Sequence, residues 1–138
     1  MTPEDAFHAD VAGWLAWALP APAFWTTFPA GGGGFNRGLR LKRLGLKAGV
    51  PDILVFRPLG RFRAGLFAGG IELKTDEGRL SEVQVETHEL LRAAGFAIAV
   101  CRSLGQVKAA LAAWGFALLT EKPSSAALRR AFAEAART

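Results

Sequence analysis

The chain has a single cysteine, Cys101, in 138 residues. No internal disulfide can form, and a cysteine-based zinc site is excluded. A reducing compartment is its natural setting. Histidine is almost as scarce: His8 and His88 are the only two, far apart in sequence. No apolar run is long enough to span a bilayer. The best stretch, Val11 to Trp25, is broken by Pro20 and Pro22, whereas a span needs about 20 consecutive apolar residues. The N-terminus carries Glu4 and Asp5 instead of a basic segment, so it does not read as a signal peptide. These absences predict a soluble, cytoplasmic protein with no membrane partner. The glycine run at Ala30–Gly34 has no Gly-Lys-Ser/Thr after it, which excludes a P-loop and leaves a mobile loop. No internal repeat and no domain boundary is visible, so one domain is expected.

What is present is apolar and basic. Hydrophobic residues make up 51% of the chain, enough for a packed core, and 17 Lys and Arg against 12 Asp and Glu give a formal net charge of +5. A basic surplus favours a polyanionic partner, nucleic acid first.

Thr2 is placed to cap a first helix, with Pro3 at its first position and Glu4 and Asp5 in its first turn. Phe7, Val11, Trp14, Leu15 and Ala18 give its apolar stripe, and Glu4 falls on that same side. Ala23 to Phe28 reads as a short extended segment. Asn36 to Lys47 reads as a short helix with Arg37, Arg40, Arg43 and Lys47 along one side, a candidate phosphate-contacting ridge. Ile53–Phe56 is a buried strand by its branched apolar run. Pro58 to Gly65 supplies a turn carrying Arg61 and Arg63, and Leu66–Thr75 is the partner strand of a hairpin. Ser81 to Gln84 is a capping-box pattern opening a helix with Val83, Thr87, Leu90, Leu91 and Ala94 as its stripe, closed by Gly95. Ala97–Cys101 is a second buried strand. Ser103 caps a helix running to Trp114, Phe116–Leu119 reads as a short edge strand, and a last helix begins at Ser124 or Ser125. Strands alternating with helices predict an α/β fold, a mixed central sheet flanked by helices. Cys101 is expected in the core. Trp14, Trp17, Trp25 and Trp114 are expected in the core or at a subunit interface.

Within this frame one constellation carries chemistry. Glu72 and Lys74 are two apart, so one strand presents both on the same face. If Asp52 sits on the neighbouring strand, two carboxylates and an ammonium converge. Two carboxylates can hold Mg²⁺ or Mn²⁺, and a lysine beside them can steer a water and balance phosphate charge. Gln84 has two competing roles, closing the capping box with Ser81 or supporting this site. His88, one turn after Gln84 on the same side, reads as structural or surface.

The ordered set Gly49-Val50-Pro51-Asp52-Ile53, Ile71-Glu72-Leu73-Lys74-Thr75, Gly78-Arg79-Leu80-Ser81, Gln84 and Leu91-Arg92-Ala93-Ala94-Gly95-Phe96 resembles the VRR-NUC domain, a branch of the PD-(D/E)XK nuclease superfamily. The likeness runs from the first helix to about Leu111 and leaves the C-terminal helix, about 124–137, as an appendage. It implies a restriction-endonuclease-like core, α-β-β-β-α-β, and a metal-dependent DNA endonuclease. Small standalone members of phage or bacterial type resemble homodimeric, structure-selective enzymes acting on branched DNA such as Holliday junctions. Carried over by position, the resemblance makes Asp52, Glu72 and the Leu73 backbone carbonyl metal ligands, with Glu4 as a further one, directly or through water. Lys74 would orient the attacking water and Gln84 would support the site. From the residues themselves and not the resemblance, Arg37, Arg40, Arg43, Lys47, Arg61 and Arg63 are the candidate DNA grip. No small-molecule cofactor is implied. The alternative is a non-catalytic DNA-binding module on the same fold. A sequence-specific restriction enzyme is a weaker third, because the chain is short for a recognition insertion.

Overall fold

Helix α1 (Pro3–Ala18) begins at a reciprocal cap: Thr2 Oγ1 accepts from the Asp5 amide, and the Asp5 carboxylate accepts from the Thr2 amide. Its stripe of Val11, Trp14, Leu15 and Ala18 is buried as the periodicity predicts. The computed structural model describes residues 1–28 and 34–137. The glycine run at 30–34 therefore lies outside the described residues except for Gly34, which opens the next helix.

The order continues as β1 (Phe24–Thr27), α2 (Gly34–Arg43), β2 (Ile53–Pro58), β3 (Leu66–Leu73), α3 (Glu82–Ala93), β4 (Ala97–Cys101), α4 (Leu104–Ala113) and α5 (Ser125–Arg137). The sheet order is β1-β2-β3-β4. The first three strands pair antiparallel, and β4 adds to β3 in parallel through the α3 crossover. This is the mixed, helix-flanked α/β sheet expected from the element order.

Four sequence readings are corrected. Helix α2 stops at Arg43, short of Lys47. The chain turns at Gly45, whose φ of +101° suits glycine, so Lys47 is off the helical ridge. Strand β2 runs on through Pro58, and β3 ends at Leu73, just before Lys74. Residues Phe116–Leu119 form no strand. Leu119 N–H instead donates to Ala18 O, tying this segment to the end of α1. The stripe assigned to α3 is also displaced: Val83 is 46% and Leu90 72% exposed, and the buried residue of this helix is His88.

The pleat of β3 separates core from site. Ile71 and Leu73 point into a core formed with Ile53 and Val55 of β2, Cys101 of β4, α1, Val107 and Leu111 of α4, and Phe116. Trp17, Trp25 and Trp114 pack against this core, and Trp14 lies within it. Residues 70 and 72 face the other way. A side chain at Gly70 would collide with Pro51 Cγ at 2.7 Å and Ile98 Cδ1 at 3.0 Å. Pro51 can therefore lie on the sheet directly before Asp52. Gly49 has φ +82°, and a Cβ there would stand 2.6 Å from Val83 O and 2.8 Å from Thr87 Oγ1. The adjacent Ala48 carbonyl accepts from Thr87 Oγ1 at 2.6 Å. The segment before Asp52 is thus pressed onto α3.

Gly49→Ala should cost on the order of 2 kcal/mol or more, since a left-handed conformation and backbone overlap are combined. Gly38→Ala, in open space on a helix, should stabilise by up to about 1 kcal/mol. Urea unfolding of both variants checks the pair. Equal midpoints would refute the packing of Gly49 on α3.

Candidate active site

Asp52 immediately precedes β2, and the register pairs Ile53 with Ile71 across β2 and β3. This brings Asp52 beside Glu72 and Leu73. Its carboxylate Oδ2 accepts from the Leu73 backbone N–H at 2.7 Å. Its backbone carbonyl accepts from Phe28 N–H at 3.1 Å and from Thr27 Oγ1 at 3.0 Å. Thr27 Oγ1 lies 2.9 Å from His8 Nε2. The hydroxyl has one proton and it goes to Asp52, so His8 Nε2 is the donor of this contact. Strands β1 and β3 hold Asp52 directly, and α1 does so through His8.

Glu72 is 2% exposed. Its Oε1 accepts from Gln84 Nε2 at 2.8 Å and lies 3.9 Å from Lys74 Nζ. The same-face pairing of Glu72 and Lys74 read from the sequence is therefore realised. Gln84 does not have to choose between its two roles. Its Oε1 accepts from the Ser81 backbone N–H at 2.9 Å, closing the capping box, while its Nε2 donates to Glu72. The two ends of one amide serve the helix and the site together. Glu72 Oε2 has no hydrogen-bond partner, and neither ring nitrogen of the buried His88 has one. His88 Nε2 stands 3.7 Å from that oxygen.

Burial pushes the Glu72 carboxyl up to about 8, and the negative charge of Asp52 adds to the effect; Lys74 opposes it. Burial holds the His88 imidazole below its ordinary value, with Arg92 adding repulsion. Burial also raises the Cys101 thiol to about 11, in keeping with a core residue.

A cavity of about 750 Å³ opens beside Asp52 and Leu73, walled by Glu4, Asp5 and His8 of α1 and by Thr27 and Phe28. Glu4 thus faces the cleft and is exposed, not turned into the core. Phe28 also borders a second cavity with Leu41, Leu44 and Leu46, next to α2. This shared wall sets α2 beside the cleft, with Arg40 and Arg43 exposed and Arg37 half-buried. Lys47 lies in the turn lining that second cavity. Arg61 and Arg63 are elsewhere. They sit in the turn beyond Pro58, one full length of the six-residue β2 from Asp52, or about 20 Å at the usual strand rise.

Three contributors carried no local signal in the sequence. His8 and Thr27 reach Asp52 only through the tertiary fold. Arg102 Nη1 donates to Thr75 O and Gly78 O, each at 2.6 Å, and so staples the turn that follows Lys74.

Among the described residues, no three His, Cys, Asp or Glu side chains cluster in a metal-holding arrangement. The donors available near Glu72 are hard oxygens: two carboxylates and backbone carbonyls. Such a set suits a cation that keeps waters and takes substrate phosphate oxygens, in the manner of Mg²⁺. The orphaned Glu72 Oε2 is a buried acceptor awaiting a proton or a cation.

Without metal, the raised Glu72 carboxyl sets a pH dependence. The folded protein retains a proton that the unfolded chain releases near 4.5. Stability from this proton is full below that value and is lost as pH rises through about 8. In EDTA, the melting temperature should fall between pH 5 and pH 9, and Glu72→Gln should flatten the slope and melt higher at pH 9. Parallel slopes for the two proteins would refute the assignment.

Comparison with known proteins gives the chain a family. No curated protein matches the chain. A solved structure described as a "VRR_NUC domain protein" superposes with a TM-score of 0.60 at 20% identity, covering 83% of this chain and 89% of that one. The likeness in fold is consistent with a restriction-endonuclease-like core. The VRR-NUC domain matches residues 35–104, which include Asp52, Glu72, Lys74 and Gln84. The match covers just over half of the sequence, and the chain belongs to the VRR-NUC domain family, a nuclease-type family.

Proposed function

We propose that this protein is a divalent-metal-dependent DNA endonuclease that hydrolyses phosphodiester bonds and prefers branched DNA such as four-way junctions. The observation that supports it most is the meeting of Asp52, Glu72, Lys74 and Gln84 at one end of β2 and β3. Asp52, Glu72 and the Leu73 carbonyl would hold Mg²⁺ or Mn²⁺, with Glu4 contributing through water across the cleft. Bound there, the cation supplies Lewis acidity toward a phosphate oxygen and a water of lowered pKa.

The chain's own groups do the rest. The Leu73 N–H fixes the Asp52 carboxylate, and Gln84 fixes Glu72. Lys74, 12% exposed at its side chain, orients the attacking water and offsets negative charge in the transition state. The resemblance implies products with 5′-phosphate and 3′-hydroxyl ends. Arg40 and Arg43 on α2 contact the DNA backbone beside the cleft, which positions substrate without reading sequence. Two copies of the chain would present one site to each of two strands in a junction.

The test is cleavage of a labelled four-way junction beside linear duplex, with Mg²⁺, Mn²⁺ or EDTA. Metal-dependent cutting should favour the junction, and Glu72→Ala or Lys74→Ala should abolish it while leaving the fold intact. Equal cutting of both DNAs would remove the junction preference. Tight binding without cutting in any metal would move the protein to the DNA-binding class. Separately, Arg40→Ala and Arg43→Ala should each weaken junction binding and lower the salt slope of log Kd by about 1. An unchanged slope in an affinity titration would remove α2 from the interface.

A further inference from the structure

We propose that His88 is a positioning residue for Glu72, so that α3 grips both oxygens of this one carboxylate. The inference rests on the reading of Asp52 and Glu72 as the metal-binding pair.

Gln84 and His88 lie one helical turn apart and face the same way. Gln84 Nε2 holds Oε1 at 2.8 Å. His88 Nε2 faces Oε2 from 3.7 Å. Among the described residues, Glu72 Oε2 and the two His88 ring nitrogens are the buried side-chain polar atoms without a hydrogen-bond partner. A buried polar atom without a partner opposes folding, and donor and acceptor here face one another. Lys74 is on the Oε1 side, so it does not meet this need.

A glutamate held at one oxygen can still rotate about its last torsion, which is soft and broad. A second donor on the other oxygen fixes the carboxylate plane. At 3.7 Å the contact is too long for a hydrogen bond. It closes when the site is loaded, as contacts around reacting groups tighten in the working complex. His88 therefore carries its proton on Nε2, directed at Oε2. It orients a ligand and touches neither metal nor DNA.

The experiment measures Mn²⁺ affinity by electron paramagnetic resonance, with melting curves, for wild type, Glu72→Ala, His88→Leu and His88→Gln. His88→Leu keeps an apolar fill and should bind Mn²⁺ about 10–100-fold more weakly, the usual loss for a partner of a metal ligand. His88→Gln returns a donor and should recover most of the affinity. A role in packing alone would give Leu and Gln variants the same affinity, and that result overturns the proposal. If the variants do not fold, ¹⁵N-histidine NMR of the Mg²⁺-loaded wild type decides: a proton on Nε2 supports the proposal, and a bare Nε2 with the proton on Nδ1 overturns it. Wild type that binds no Mn²⁺ overturns the metal-pair reading and this inference with it. Normal wild-type binding left intact by His88→Leu overturns this inference alone.

Discussion

Two carboxylates side by side, one of them cut off from water, dominate the energetics of this molecule. Burying Glu72 next to Asp52 opposes folding twice, through lost hydration and through like-charge repulsion. The surroundings offset this with directed donors. The Leu73 amide meets Asp52, the Gln84 amide meets Glu72, and Lys74 adds a positive charge within 3.9 Å. One carboxylate oxygen stays without a partner. A fold optimised only for stability would put an apolar side chain there.

Such a pair needs a rigid frame, and the sheet provides it. Alternation along β3 sends Ile71 and Leu73 into the core and leaves Glu72 on the face covered by α3. The core thus fixes the strand while the opposite face carries the chemistry. Glycines set the spacing. Gly70 lets Pro51 lie against the sheet, and Gly49 lets the chain ahead of Asp52 press onto α3. Helix α3 both closes the parallel crossover and supplies Gln84 and His88.

Much of this is legible in the sequence where the cause is local. The caps at Thr2, Ser81 and Ser103 and the helix stop at Gly95 follow from backbone chemistry and occur as read. Period-two geometry alone places Glu72 with Lys74. The pairing of Glu72 with Asp52 needs the hairpin, and the hairpin was also readable. The errors have a common origin in tertiary context. On α3 the apolar residues Val83 and Leu90 face solvent while Gln84 and His88 turn inward. A hydrophobic stripe is a poor guide on a helix whose inner face serves a polar site. The edge strand read at Phe116–Leu119 finds no ladder, since its backbone N–H bonds go to α4 from Phe116 and to α1 from Leu119. Apart from these, Arg61 and Arg63, read as DNA contacts, stand a strand length from Asp52. Nothing in the residues around Arg102 announces its bond to a turn more than twenty positions earlier.

That bond has a consequence for the order of assembly. The turn after Lys74 takes its shape from a guanidinium that enters place only when β4 has crossed over and docked beside β3. A chain emerging from the ribosome can form the β2–β3 hairpin early, because its contacts are local. The stapled turn must wait for residues synthesised well after Glu72 and Lys74. A chain cut before Arg102 therefore keeps Glu72 and Lys74 but lacks the donor that shapes the turn behind them.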